Sequence, residues 1–271
     1  MFDAATSRMP QRVRGRASAS VVGGGLRDLH QSGSAKVLLP RVFGRAPEVV
    51  FLNTAGGVTG GDRLDYALSV AGGAVTATTQ TAERAYRAIG APGVVETRLT
   101  VGPGACLHWV PQEVIVFEGA ALERLLRVEM AADAELVLLE TLVLGRAAMG
   151  ERLRDIRLHD RREVWRGGRM EMLEAVRLGA GDLADPGHAG PAGLNGAVAV
   201  ATLSCMARDA ADRLGPLRAV LNAAGVRAAA SAWDGRLTAR FMAAEAYPLR
   251  RAVVRAVEVL TRGPVPRVWQ V

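Results

Sequence analysis

Four glycines crowd six positions in NTAGGVTGGDR, residues 53–63, and the stretch closes on an acid and a base. Such density raises the question of a phosphate-binding loop. A Walker A loop requires a lysine after its last glycine, and a dinucleotide loop requires G-x-G-x-x-G. Here Gly56 and Gly61 have four residues between them but Asp62 follows, and Gly56, Gly57, Gly60 and Gly61 contain no G-x-G. A carboxylate in that place repels phosphate. Residues 64–70 then alternate apolar and polar, so the loop leads into a strand, not into the helix N-terminus that would hold an anion. The glycines are expected to supply positive φ in a tight connection, with Asp62 and Arg63 free for recognition or internal pairing.

Two other groupings could do chemistry. Cys106 and His108 are two apart in an alternating segment and share one strand face, a soft-plus-imidazole pair for a transition metal or an incidental juxtaposition. Glu140 stands in LVLLETLVLGR with apolar residues on both sides. A charged carboxylate there needs a partner, because leaving it bare in an apolar core costs several kcal/mol. An arginine, water or a cation would serve. Glu174 in MEMLEAVRL and Glu151 in GRAAMGER are weaker cases of the same kind. Carboxylates lining a wet interior could pass a divalent ion. Metalloprotease, paired C-x-x-C, nucleophile-elbow and P-loop motifs are all missing from the sequence.

The elements that must position these groups read as strands. Val95, Thr97, Leu99 and Val101 alternate with polar residues, as do Leu126, Val128 and Met130, and Gly or Pro punctuates the runs at strand spacing. A layered, mainly β architecture follows, compatible with a solenoid-like stack of short strands. Residues 1–20 read as a loose N-terminal segment, and 179–196 as a long loop within a single domain spanning 1–271. Two helices are expected in the C-terminal half, 209–223 interrupted at Gly215-Pro216, and 247–261 ended by Gly263-Pro264. The second aligns Leu249, Val253, Val257 and Leu260 on one face and is followed by an exposed-looking tail with Arg267 and Trp269.

Composition narrows the class. The 271 residues are 49% hydrophobic, ample for a buried core, and 31 glycines against 12 prolines suit many strands joined by turns. Net charge is +7, almost wholly from arginine, since Lys36 is the only lysine. The arginines are interleaved with 27 acids and few aromatics are available to stack on bases, which weighs against nucleic acid. Two cysteines make no disulfide framework and suit a reducing compartment. No secretory apolar region and no run of 18 apolar residues occurs, so a soluble cytoplasmic protein without a membrane span is expected.

Five blocks, in order, resemble the motifs of one family. PEVVFLNTAGGVTGGDRL at 47–64, TTQTAERAYR at 78–87, LHWVPQEVIVFEGA at 107–120, ETLVLGRAAMGE at 140–151 and PRVW at 266–269 look like successive segments of UreD, also called UreH, the urease accessory protein. The resemblance implies strands wound into a right-handed, helix-like stack with two helices. It also implies a non-enzymatic scaffold in a hetero-oligomer, binding the urease apoprotein with UreF and UreG. Nickel would then pass through in transit to urease, with no stably bound cofactor. By this resemblance Glu140 and Glu174 match acidic interior positions, while the family often carries an acid where this chain has His108, so the histidine inherits no nickel role. The stripe of Leu249, Val253 and Val257, with Arg267 and Trp269, is either packed on the body or offered to a partner's groove, and the resemblance favours the partner. Rival readings are a β-fold hydrolase or isomerase using buried acids and an arginine-rich nucleic-acid binder.

Overall fold

The computed structural model describes residues 12–146, 149–184 and 193–269, and two sheets dominate it. Residues 1–11 of the segment expected to be loose lie outside the described residues. From Arg14 onward that segment is instead a strand, β1 (Arg14–Val22), which directs Ala17, Ala19 and Val21 into the core. It pairs antiparallel with β2 (Gly25–Gly33), whose successor β3 (Ala35–Leu38) crosses to the second sheet and pairs with β4 (Glu48–Asn53). The period-two pattern is present in RGRASASVV, but its inward residues are small.

After β4 the chain alternates between sheets. β5 (Arg63–Ala71), β8 (Gly93–Val101), β11 (Ala121–Met130) and β13 (Arg157–Arg166) lie parallel and adjacent in the first sheet. β4, β6 (Ala74–Thr79), β9 (Cys106–Trp109) and β12 (Glu135–Leu144) do the same in the second. Each step in one sheet is thus followed by a step in the other. Two short strands, β7 (Glu83–Ala85) and β10 (Val114–Val116), pair with each other, and β10 also joins β12. The first sheet is extended by β14 (Arg169–Leu178), antiparallel to β13, and the second by β15 (Ala199–Met206), β17 (Arg236–Ala243) and β16 (Val226–Trp233).

β12 explains the apolar run around Glu140, because both its faces are covered. Leu136, Leu138 and Leu142 face the first sheet in one buried cluster; Val137, Leu139 and Val143 join a second cluster beneath the helices. The short helix α1 (Ala180–Ala184) falls inside the stretch expected to be a loop. The helix α2 (Leu214–Leu221) begins where the sequence suggested an interruption. Pro216 lies in its first turn, where the missing N–H has no helical partner to lose, so Gly215-Pro216 opens the helix. The helix α3 (Ala246–Thr261) matches expectation closely and ends on Arg262 in the left-handed region, φ 55°.

The packing of α3 corrects the expected partner interface. Leu249, Val253 and Val257 are buried within the second cluster, and Trp269, in a single 3-10 turn at Arg267–Trp269, is only 6% exposed. Its indole N–H donates to Thr78 Oγ1 at 2.9 Å, while the Arg250 guanidinium lies 4.8 Å above its ring and donates to its carbonyl at 3.1 Å. Only Arg267 of the set is exposed. An apolar stripe reads alike whether it meets its own sheet or another chain; here its own sheet covers it.

Trp269→Ala should therefore destabilise the fold by about 3–5 kcal/mol, the range for deleting a buried aromatic side chain. Denaturant titration followed by circular dichroism measures this, and a loss below about 1 kcal/mol would show that the tail is not part of the core.

Candidate functional site

Charged side chains cross the apolar space between the two sheets. On β11 the inward positions run Leu122, Arg124, Leu126, Val128; on β13 they run Leu158, Asp160, Arg162, Val164. Arg124 and Asp160 are register partners, as are Arg162 and Glu174 on β14. In the facing sheet Glu140 is opposite Thr202, and Thr202 opposite Arg240. Cross-strand register in each sheet thus sets polar groups side by side, and sheet packing brings the two rows together.

The result is a ladder of alternating charge. Arg124 donates to Glu140 Oε2 at 2.6 Å and to Asp160 Oδ2 at 2.7 Å, and Arg162 donates to the same Asp160 oxygen at 2.6 Å and to Glu174 Oε2 at 3.2 Å. Arg240 and the Thr202 hydroxyl donate to Glu174 Oε1 at 3.1 and 3.2 Å. At the deep end the Trp109 indole N–H donates to Glu140 Oε1 at 3.3 Å. Asp160 and Arg162 are as deeply buried as Glu140, and the ladder opens through Glu174 at 14% to Arg240 at 69% side-chain exposure, so one end lies in the core and the other at the surface. Three carboxylates meet three guanidiniums, which leaves no net charge along it.

Electrostatics follow from this pairing. Burial by itself would raise the pKa of Asp160, but the guanidiniums of Arg124 and Arg162 outweigh it and hold the carboxyl below its ordinary value. Burial likewise would lower the pKa of Arg124, and the carboxylates of Asp160 and Glu140 reverse the sign. Glu83, on β7, has no such bridge. Burial pushes its pKa up to about 7, with a hydrogen bond from Asn53 at 3.4 Å and the more distant charge of Arg124 only partly opposing the shift. The same burial, with the Glu83 charge, raises the Tyr66 phenol.

The glycine-rich loop supports this region mechanically. A Cβ on Gly57 would lie 2.3 Å from the Tyr86 ring and 2.7 Å from the Arg84 carbonyl, so only glycine allows the loop to press against the segment carrying Glu83. Asn53 Nδ2 donates both to the Gly57 carbonyl at 2.9 Å and to Glu83. Gly56 and Gly61 take positive φ, and Gly60 passes too close to the Ala91 carbonyl to carry a Cβ. Asp62 is buried and accepts the backbone N–H groups of Val13 at 2.8 Å and Thr59 at 2.9 Å, while Arg63 pairs with Asp65 and Glu96. Both of the polar residues that close the loop pair internally.

A sequence model of the family described as UreD urease accessory protein matches residues 12–270. The chain belongs to the UreD family. It is 70% identical to the urease accessory protein UreD of Jannaschia sp. (strain CCS1) over the whole of both chains. It is 50% identical to the protein of that name from Paracoccus denitrificans (strain Pd 1222), covering 100% of this chain and 97% of the relative. With that of Rhizobium leguminosarum bv. trifolii (strain WSM2304) it shares 40% identity over 99% of each.

Within this UreD-family chain the residues singled out from sequence separate into groups. Glu140 and Glu174 stand at the two ends of the ladder's acids and are joined through Arg124, Asp160 and Arg162. Glu151 lies apart: its carboxylate accepts from the Arg146 side chain at 2.9 and 3.0 Å and from the Arg146 backbone N–H at 2.9 Å, which lowers its pKa. Cys106 and His108 lie on the far face of the second sheet, Sγ to Nε2 3.4 Å, with Thr76 Oγ1 3.3 Å from Nδ1. Burial lowers the imidazole pKa to about 4 and raises the thiol to about 11. Among the described residues no three or more His, Cys, Asp or Glu side chains are grouped to hold a metal ion, and no helix is long and apolar enough to cross a membrane. The residues missed from sequence are Glu83, Arg124, Asp160 and Arg162. In RLHDRREVWR the last two occupy alternate positions between Leu158 and Val164, which is the available signal.

Glu83 gives a pH test with a defined sign. Its folded pKa of about 7 exceeds the ordinary 4.5, so the native state binds the extra proton. The stabilisation from that proton is complete below pH 4.5 and is lost as pH rises towards 7. Glu83→Gln should remove this dependence, making the variant more stable relative to the parent by up to about 3 kcal/mol between those limits. Denaturation midpoints of both proteins across the range measure it. A stability difference that stays flat with pH would contradict the assignment.

Proposed function

We propose that this protein is a non-catalytic scaffold of urease maturation, acting as one UreD-type domain. In this reading it binds the urease apoprotein together with UreF and UreG in the cytoplasm as part of a hetero-oligomer, and nickel passes through its interior on the way to urease. Membership of a family of urease accessory proteins supports the maturation role. The resemblance of the motif blocks supplies the named partners. The alternation of parallel strands between two sheets is read as a short, right-handed helix-like stack, whose interior offers the path.

The observation carrying the nickel reading is the row of carboxylates between the sheets, Glu140 and Asp160 buried and Glu174 half-buried at the end that meets Arg240 and solvent. Carboxylate oxygens are ligands for hard and borderline divalent ions. Each is held by a guanidinium, so a passing dication must displace an arginine to gain a ligand, which keeps binding weak and transient. Glu83 adds a carboxyl without an arginine bridge near the deep end. The hydrolase reading gains nothing here, because both oxygens of Glu140 are occupied by Arg124 and Trp109.

Co-expression of urease with this protein as Glu140→Gln or Glu174→Gln, against the parent, tests the proposal. Gln keeps the shape and removes the charge. Urease nickel content and activity should fall roughly tenfold, with recovery of the UreF- and UreG-containing complex unchanged. Unchanged nickel content with an intact complex would leave the ladder a purely structural device.

A further inference from the structure

Of the four strands that end the two sheets, β2, β3, β14 and β16, only β2 has no buried residue: Leu29 is half-buried and the others are exposed. Pairing with β1 uses one of its edges, and among the described residues no strand takes the other. We propose that this free edge is where two copies of the chain meet, β2 running antiparallel to β2 across a twofold axis that passes beside Leu29. This pairing does not depend on the nickel reading.

The faces of β2 follow from its register with β1. Leu26 and Leu29 are opposite the inward-facing Val21 and Ala19, so they point between the sheets, whereas Asp28 and His30 are opposite Ser20 and Ser18 and point outward. The inward side is only partly covered. Gln31, opposite Ala17, accepts from the Val37 N–H of β3 at 3.2 Å, which places β3 across from that face. Yet Leu26 and the last residue of β3, Leu38, remain 49% and 51% exposed. The inter-sheet core is therefore open along this margin. A further strand on β2 would cover it and would satisfy the free backbone N–H and C=O groups that a sheet edge presents.

Charged residues on an edge ordinarily discourage pairing. Here their order makes the edge self-complementary. In a symmetric antiparallel pair the residue on the axis meets itself, its two neighbours meet each other, and opposed side chains share a face. Centred on Asp28, two carboxylates would oppose; centred on His30, two imidazoles would oppose and Leu29 would meet Gln31. Centred on Leu29, Asp28 of each copy meets His30 of the other on the outward face, and the two leucines meet on the inward face. An imidazole N–H donates to a carboxylate in either protonation state of the ring. Neither side chain is used elsewhere: among the described residues Asp28 and His30 have no side-chain hydrogen bond or ion pair. Arg27, which the register shift at Ser20/Val21 leaves without a partner on β1, meets the neutral Gln31, so no like charges oppose. The same irregularity confines regular pairing to residues 27–31, which makes the dimer weak and reversible.

Sedimentation velocity of the full-length protein from roughly 1 μM to 1 mM, a span of weak to moderate affinities, should show a monomer–dimer equilibrium, and amide hydrogen exchange at residues 27–31 should slow as concentration rises. Asp28→His and His30→Asp, each alone, set like residues against one another at both crossings and should raise the dissociation constant about tenfold or more. Mixed in equal amounts, the two variants again set imidazole against carboxylate at both crossings. A heterodimer of parental strength should form. A merely structural role for either exposed side chain would not be rescued by mixing, and circular dichroism checks that each variant is folded. A parent that stays monomeric throughout, as it would if the edge serves a different protein's strand, overturns the proposal. So does a dimer that neither variant weakens, or one that mixing fails to restore.

Discussion

At the deep end of the ladder a guanidinium joins the two sheets. Arg124 reaches from the first sheet to Glu140 in the second while holding Asp160 in its own, and all three lie in the space otherwise filled by leucine and valine. Neither carboxylate could remain charged there alone, and a protonated pair would leave the arginine equally stranded. Mutual satisfaction is what makes the arrangement tolerable, because a buried ion pair broken on one side costs far more than its net worth when intact. From Arg124 the same logic passes through Asp160 and Arg162 to Glu174, until Arg240 meets solvent.

That constraint explains features that look unrelated. The strand β12 must be apolar on both faces, since it separates the inter-sheet core from the one beneath α2 and α3, and Glu140 is its single inward exception. The apolar stripe of α3 and Trp269 are consumed in closing the second core, which removes those side chains from the surface offered to other chains. The glycine-rich loop, which invites comparison with a nucleotide site, presses close to the segment bearing Glu83. Its Asp62 spends both oxygens on backbone N–H groups.

Much of the fold was legible from residue patterns. Alternation disclosed the strands from Val95 and Leu126 onward, and the stripe of Leu249, Val253, Val257 and Leu260 disclosed α3. β1 was missed because alanine and glycine on its inward face carry little hydrophobic contrast against serine. The start of α2 was misjudged because Gly-Pro breaks a helix interior yet fits a first turn, and the sequence pattern does not say which position it occupies. At the site, Glu140 declared itself by its apolar surroundings, and an arginine was among the partners expected for it. Which arginine could not be known, since Arg124 is 16 residues away and meets Glu140 only through the packing of two sheets. Asp160 and Arg162 were hidden for a different reason: strands rich in charge on both faces lose the alternation that would mark them as inward.

The central claim is that the Arg124–Glu140 bridge couples the sheets, and a double-mutant cycle tests it most directly. Arg124→Met, Glu140→Leu and the double variant are compared with the parent by chemical denaturation. Each single variant should lose about 3–5 kcal/mol by stranding its partner, and the double should lose at least about 2 kcal/mol less than the sum of the two. Losses that simply add would mean that the two side chains do not depend on one another, and the ladder would no longer be the interaction that holds this interior together.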